Sequence, residues 1–460
     1  MDVVAEFAKN SGSKDTMRQP EFLANSATTE LNMSNKSTPC NDYQISRRTM
    51  LSNTMLGAAA GTFLGMPVKS LLANAGVDHK PKCEHVILFW CGGGMSHLDT
   101  WDPKPGRPTQ GEFSPIKSTV PGMQITQIFP RLSQQLHNVA LIRSIAGTNG
   151  AHGRATYQLL TSYNQVAGLL LHPGIGSIVS HEKPRLGDLP AYISITGQAP
   201  RAGYLGQKCE SYFVGRPGEP DPYLAFPQGI TKVRGNKRLE LLAKYNAKNR
   251  AARPASEFAA TEQSIEDATS LMRSPALKAF EVDKVDPETL GRYGDTDFGR
   301  GALLARRLVE KGVRFVQINR GGFDTHGNNF PAMENHGAVM DPALTSLIED
   351  LDVRGMLDTT MVIVLSEFGR TPRINNNAGR DHHAPCFSCL MAGGGIAKGA
   401  VVGASDIDGV QPADRPVKVP DIHATICHAM GINHRKRVMT PLDRKLKLVD
   451  GGKPVMELFT

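Results

Sequence analysis

Short apolar runs that stop at glycine-rich or polar loops, alternating with stretches of helical periodicity, constrain this chain more than any other feature. His85-Val-Ile-Leu-Phe-Trp90 stops at Gly92-Gly93-Gly94, and Val313-Arg-Phe-Val-Gln-Ile318 runs into Gly321-Gly322. Thr360-Met-Val-Ile-Val-Leu365 runs into Ser366-Glu367-Phe368-Gly369. Their length and flanks predict buried parallel strands rather than helices. Between the last two, Pro342–Leu357 places Leu344, Leu347, Ile348, Leu351 and Met356 at helical spacing, and Gly301–Lys311 gathers Leu303, Leu304, Leu308 and Val309 on one face. Strands alternating with amphipathic helices predict an α/β fold with a mostly parallel central sheet and helices on both faces. With 460 residues, 40% of them hydrophobic, the chain can bury a large core.

The middle is looser. Residues 197–235 are rich in Gly and Pro and predict an irregular excursion over the strand ends, whereas Arg238–Ser270 is polar, Ala-rich and expected to be helical. Together, about 197–270 read as a capping insertion. Asp421–Gly431 predicts a helix closed by a glycine C-cap.

The first part of the chain carries a different signal. Residues 1–45 are too polar to offset their ordering entropy and are expected to be a disordered leader. Ser46-Arg47-Arg48-Thr49-Met50-Leu51 then presents paired arginines, a Gly/Ala-rich apolar stretch follows, and Ala73-Asn74-Ala75 supplies small residues for cleavage. Residues 46–75 therefore predict a twin-arginine signal peptide, with the twin-arginine translocation machinery as partner and a folded body over 77–460 placed in the periplasm or outside the cell. Pro67 and Lys69 break the apolar stretch, so no stable membrane span is expected after cleavage.

The net charge of +8 arises from scattered Lys and Arg rather than a stripe, which argues against a nucleic-acid partner. Of seven cysteines, Cys40 precedes the signal; the other six permit disulfides in an exported chain, and Cys386-Phe-Ser-Cys389 has redox or zinc-knuckle spacing without a second pair.

In an open parallel sheet, ligands bind at the carboxyl ends of the strands. The first strand end releases Ser96, His97, Asp99 and Asp102; the second, Asp324-Thr-His326; the third, Glu367 and Arg370, followed by Arg380-Asp381-His382-His383. Imidazoles and carboxylates converging from separate loops are what a divalent cation requires. A serine esterase using Ser96 is a competing reading, although Gly94-Met-Ser96-His97 lacks the second glycine of a nucleophile elbow. The glycines of Ala392–Gly399 are followed by no Lys-Ser or Lys-Thr pair and predict a tight turn.

Gly92–Pro105, Gly322–Asn329, Glu367–Arg373, Gly379–Pro385, Ala392–Asp406 and Asp421–Gly431 together resemble the exported bacterial family known as domain of unknown function 1501. The resemblance covers nearly all of residues 46–460. It implies a divergent branch of the alkaline phosphatase and sulfatase superfamily, hence an alkaline phosphatase-like α/β fold and a divalent metal ion: zinc, manganese, iron or calcium. His152-Gly-Arg-Ala-Thr-Tyr-Gln-Leu-Leu-Thr161 is similar to the helix that follows the sulfatase nucleophile, which puts His152 where Ser, Thr or Cys is usual. Asp324 and His326 resemble the ligands of one metal, Glu367 replaces an aspartate, Phe368 stands where a histidine ligand is usual, and His382 or His383 resembles the final histidine. No acid stands at Cys91 or Gly92, where the superfamily has an aspartate.

The resemblance implies a cation held by Asp324, His326, Glu367, Asp381 and His382, with His152 or His97 as general base and Arg370 orienting the anion. Ser96 and Arg380 are expected on the substrate. The expected activity is metal-assisted hydrolysis of a phosphate or sulfate ester, an anionic ester or sulfated polysaccharide being the substrate. A non-catalytic binding or surface-assembly protein on the same scaffold is the alternative.

Overall fold

A computed structural model describes residues 81–165, 170–219, 224, 226, 228–249 and 265–459. The expected leader and signal peptide lie outside the described residues.

The expected α/β architecture is observed. Nine strands form the central sheet: β1 (His85–Cys91), β2 (Val139–Ala146), β3 (Tyr192–Ile195), β4 (Tyr212–Val214), β5 (Phe315–Arg320), β6 (Thr360–Leu365), β7 (Phe387–Ala392), β8 (Val401–Val402) and β9 (Val417–Lys418). Their order is β8-β2-β7-β6-β1-β5-β3-β4, with β9 also pairing β2. Strand β1 lies at the centre, parallel to β5 and β6, with Phe89 opposite both Ile318 and Val364. Only β7 runs against its neighbours, antiparallel to β2 and to β6.

All residues of β1 are buried because both faces of the sheet are covered. Ile87 and Phe89 face a core built with α5 (Asp297–Val309) and α6 (Asn329–Val353). Val86, Leu88 and Trp90 face a second core with α1 (His152–Thr161), α2 (Ile175–Glu182) and α7 (Val419–Ala429). Helices α3 (Lys232–Asn249) and α4 (Pro287–Tyr293) lie between β4 and α5 in the chain, and residues 265–273 are helical as well.

Three sequence expectations shift. The excursion at 197–235 contains β4, which pairs parallel to β3; three residues acquire strand geometry because a neighbour supplies the hydrogen bonds. The helical stretch expected over Arg238–Ser270 is observed as Lys232–Asn249 and again over 265–273, residues 250–264 lying outside the described residues. The helix expected from Pro342 starts at Asn329, with Pro342 in its interior. Proline there removes one amide donor, a loss tolerated inside a long packed helix although it reads in sequence as a boundary. Among the described residues every cysteine is buried and free, including Cys386 and Cys389. Burial pushes the Cys389 thiol up to about 12. No helix among the described residues is long and apolar enough to cross a membrane.

Helix α1 is tied to α7 by His423, whose Nε2 lies 2.8 Å from the carbonyl of Leu159. The ring is buried, its Nδ1 has no partner, and burial pulls its pKa from 6.5 down to about 4. A proton forced onto this ring would be an unpaired charge in the core. The unfolded chain binds that proton first, so the stability contribution is complete above pH 6.5 and is lost as pH falls toward 4. The thermal midpoint should therefore drop across that interval, and drop less in His423→Gln; equal slopes for both proteins would contradict this origin.

Candidate metal centre

Four strand ends open on one rim of the sheet. Strand β1 leads into Gly92–Gly94, β2 into the start of α1, β5 into the loop carrying Asp324 and His326, and β6 into a long loop from Ser366 to Cys386. The glycines allow the first and third loops to touch. Gly93 has φ +117°, and a Cβ there would sit 2.6 Å from the amide nitrogen of Asp324; at Gly94, φ +82°, it would strike the Phe368 ring at 2.5 Å. Only glycine meets both conditions.

The side chains brought together are His152, Asp324, His326 and His382. One ligand atom each from His152, Asp324 and His382 lies within 4.8 Å of the others. His152 Nε2 is 3.3 Å from Asp324 Oδ2, and His382 Nε2 is 3.1 Å from Asp324 Oδ1. His326 Nε2 flanks the group, 3.1 Å from Asp324 Oδ1 and 3.0 Å from His382 Nε2.

Each imidazole is fixed from behind through Nδ1. That atom meets Glu367 Oε1 at 2.8 Å in His152, the Gly150 carbonyl at 2.7 Å in His382 and Asp381 Oδ1 at 2.7 Å in His326. All three partners are acceptors, so each Nδ1 carries the proton and each Nε2 turns a lone pair toward Asp324. His152 Nε2 is buried without a hydrogen bond, and the Nε2 atoms of His326 and His382 face each other. Lone pairs so opposed, beside a carboxylate, fit a cation. Metal-binding histidines are held by the same carboxylate and carbonyl partners.

Asp324 is half exposed, and its carboxylate is anionic for a local reason. Burial pushes its pKa up, but the hydrogen bond from Arg370 and the positive charge of that guanidinium outweigh this and hold it well below the usual carboxylate range. Arg370 Nη2 meets Asp324 Oδ1 at 2.5 Å.

The sequence-derived residues thus divide. Glu367 is not placed as a ligand: Oε1 accepts from His152 and, at 2.7 Å, from the Gly93 amide, while Oε2 accepts from Ser366 Oγ. Asp381 stands behind His326, and the hydrogen bond from that ring lowers its pKa. His152, expected as a base, contributes to the ligand group itself. Arg370 is fully buried beneath Asp324 rather than on an anion.

Ser96, His97 and Arg380 are not in the cluster. Ser96 is fully buried and accepts the Asp99 amide. His97 Nε2 donates to the Gly409 carbonyl, and burial lowers its pKa to about 4, so the ring is uncharged near neutrality. Arg380 is fully buried in a paired contact with Asp99, Nε to Oδ2 at 2.8 Å and Nη2 to Oδ1 at 3.2 Å; its remaining hydrogen bonds go to loop carbonyls. His97 and Arg380 tie separate loops together, and Ser96 braces its own. Sequence reading missed the Gly150 carbonyl, since a backbone carbonyl has no residue signature. Phe368, at the position where a histidine ligand is usual, packs its ring 5.0 Å from that of His152 and 4.8 Å from that of His382, forming an apolar wall.

The sequence profile described as Protein of unknown function (DUF1501) matches residues 83–459. A search of curated proteins returned no match. Similar solved structures include the phosphonate monoester hydrolase SpPMH from Silicibacter pomeroyi, 12% identical, TM-score 0.36, covering 82% of this chain and 77% of that one. The C-terminal periplasmic domain of EcEptC from Escherichia coli, in complex with Zn, is 10% identical with a TM-score of 0.35, over 78% of this chain and 86% of that one. The lipoteichoic acid synthase LtaP from Listeria monocytogenes is 9% identical with a TM-score of 0.35, over 79% and 78%.

Breaking one side of the buried Asp99–Arg380 pair leaves a charge without its partner. Asp99→Ala should cost about 3–5 kcal/mol in urea unfolding; a loss under ~1 kcal/mol would mean that the pair does not secure these loops.

Proposed function

Since the chain belongs to the family described as Protein of unknown function (DUF1501), its chemistry has to be read from its own side chains, and we propose that it is an exported, metal-dependent hydrolase of phosphate or sulfate esters. The observation that carries this reading is the meeting of His152 Nε2, His382 Nε2 and the Asp324 carboxylate within 4.8 Å. The twin arginines at Arg47-Arg48 and the Ala73-Asn-Ala75 step support export through the twin-arginine machinery to the periplasm or beyond.

His152, His382 and Asp324 would hold the cation, with His326 as a flanking nitrogen donor. Neutral imidazoles with one carboxylate favour zinc, manganese or iron, whereas calcium prefers an all-oxygen shell. A divalent ion there supplies Lewis acidity, polarising a phosphoryl or sulfuryl oxygen and making water a better nucleophile. The chain's residues prepare the position. Glu367, the Gly150 carbonyl and Asp381 each hold a proton on Nδ1 and so keep the opposite nitrogen free. Arg370 keeps Asp324 charged and aimed. Phe368 excludes water from the inner side of two rings. Asp324, His326 and Asp381 stand exposed, leaving the outer side open to an ester.

Purified mature protein should contain a transition metal and cleave an aryl phosphate or aryl sulfate; Asp324→Ala should lose both. Glu367→Gln should weaken metal affinity by about 10–100-fold through its effect on His152. Metal and turnover that persist in Asp324→Ala would refute the assignment. Metal without turnover on either ester class would leave a binding protein on this scaffold.

A further inference from the structure

The side chain of Arg370 has no exposed surface, yet it lies directly beneath an open centre. Its guanidinium is enclosed by oxygen. Nε donates to the Gly94 carbonyl at 2.9 Å, Nη1 to the Arg380 carbonyl at 3.1 Å, and Nη2 to the Gly93 carbonyl and Asp324 Oδ1. The Phe368 ring lies 5.9 Å from the guanidinium carbon. Three carbonyls and a carboxylate, drawn from three separate loops, are the surroundings that hard cations take in proteins. Here an arginine occupies them.

We propose that Arg370 is a built-in second cation: its guanidinium fills an oxygen-lined position next to the metal centre, so that the centre takes one exchangeable ion per chain and not a pair. The proposal rests on the metal reading above and adds its stoichiometry. Two further observations support it. Asp324 Oδ1, the oxygen that a second ion would share, is already bound by the guanidinium at 2.5 Å. Glu367, a buried carboxylate beside it, is already engaged: Oε1 accepts from the Gly93 amide and His152, and Oε2 meets Ser366 Oγ at 3.2 Å. A second divalent ion would thus meet a fixed positive charge and find no uncommitted buried acid.

The test measures metal by elemental analysis of the mature chain purified in its folded state, combined with zinc titration calorimetry. One equivalent of transition metal per chain is expected. Two equivalents would overturn the role of Arg370 and leave the ester-hydrolase reading standing; none, with no zinc rebinding, would overturn both. Arg370→Ala should create an oxygen-lined hole, so millimolar guanidinium or calcium should raise its thermal midpoint more than that of the wild type. Equal responses would count against the proposal. If that variant does not fold, Arg370→Lys keeps the charge and should still bind one equivalent, two being the contrary result.

Discussion

A buried guanidinium is costly to desolvate, and such a group persists only where its donors are matched. Arg370 meets that condition by drawing Gly93 and Gly94, Asp324 and Arg380 onto a single planar group. The loops after β1, β5 and β6 are therefore interdependent: none can move without leaving a buried donor unsatisfied. The arrangement of the histidines depends on this junction, because it fixes the carboxylate around which they gather. The Asp99–Arg380 pair supports the same loops from below, extended by Asn329, which donates to Asp99 Oδ2 at 2.9 Å.

Around that junction, polar groups sort into two shells with opposite requirements. Atoms facing Asp324 are bare nitrogens, useful only if something positive lies between them. Atoms behind the rings are acceptors that fix which nitrogen is bare. Glu367 illustrates the distinction. As a ligand it would contribute charge; behind His152 it determines a tautomer, and its second oxygen shares the single Ser366 hydroxyl proton, at 3.2 Å, with the Cys91 carbonyl, at 2.6 Å, at the end of β1. The orientation of His152 is thereby traced back to the central strand.

Much of the fold was legible because buried parallel strands leave continuous apolar runs, as at His85–Trp90 and Thr360–Leu365. Tyr212–Val214 was not, since a three-residue strand owes its state to its neighbour. Nor was the start of α6, because a helix that absorbs Pro342 looks in sequence like one that begins there. At the site, Asp324, His326 and His382 stood out as metal-competent groups at strand ends. The roles of Glu367, Asp381 and Arg380 did not, because a polar residue in a strand-end loop has the same signature whether it faces a ligand, props an imidazole or fastens a neighbouring loop. Burial separates these cases, and burial depends on the fold.

The reversal of β7 has its own consequence. Had the strand after β6 continued parallel, the chain would have had to cross back over the sheet, and the segment from Ser366 to Cys386 would have had its two ends on opposite rims. Because β7 runs the other way, both ends emerge at the same edge, and Glu367, Arg370, Arg380, Asp381 and His382 all belong to one closed flap pinned at each foot. One ligand of the centre, His382, and most of the groups that position the others thus belong to a single cassette. Its turn is fastened as well: Asn375 donates to the His326 carbonyl, and the Asn328 and Asn329 amides donate to the carbonyls of Asn377 and Ala378, so the flap and the loop after β5 form one unit.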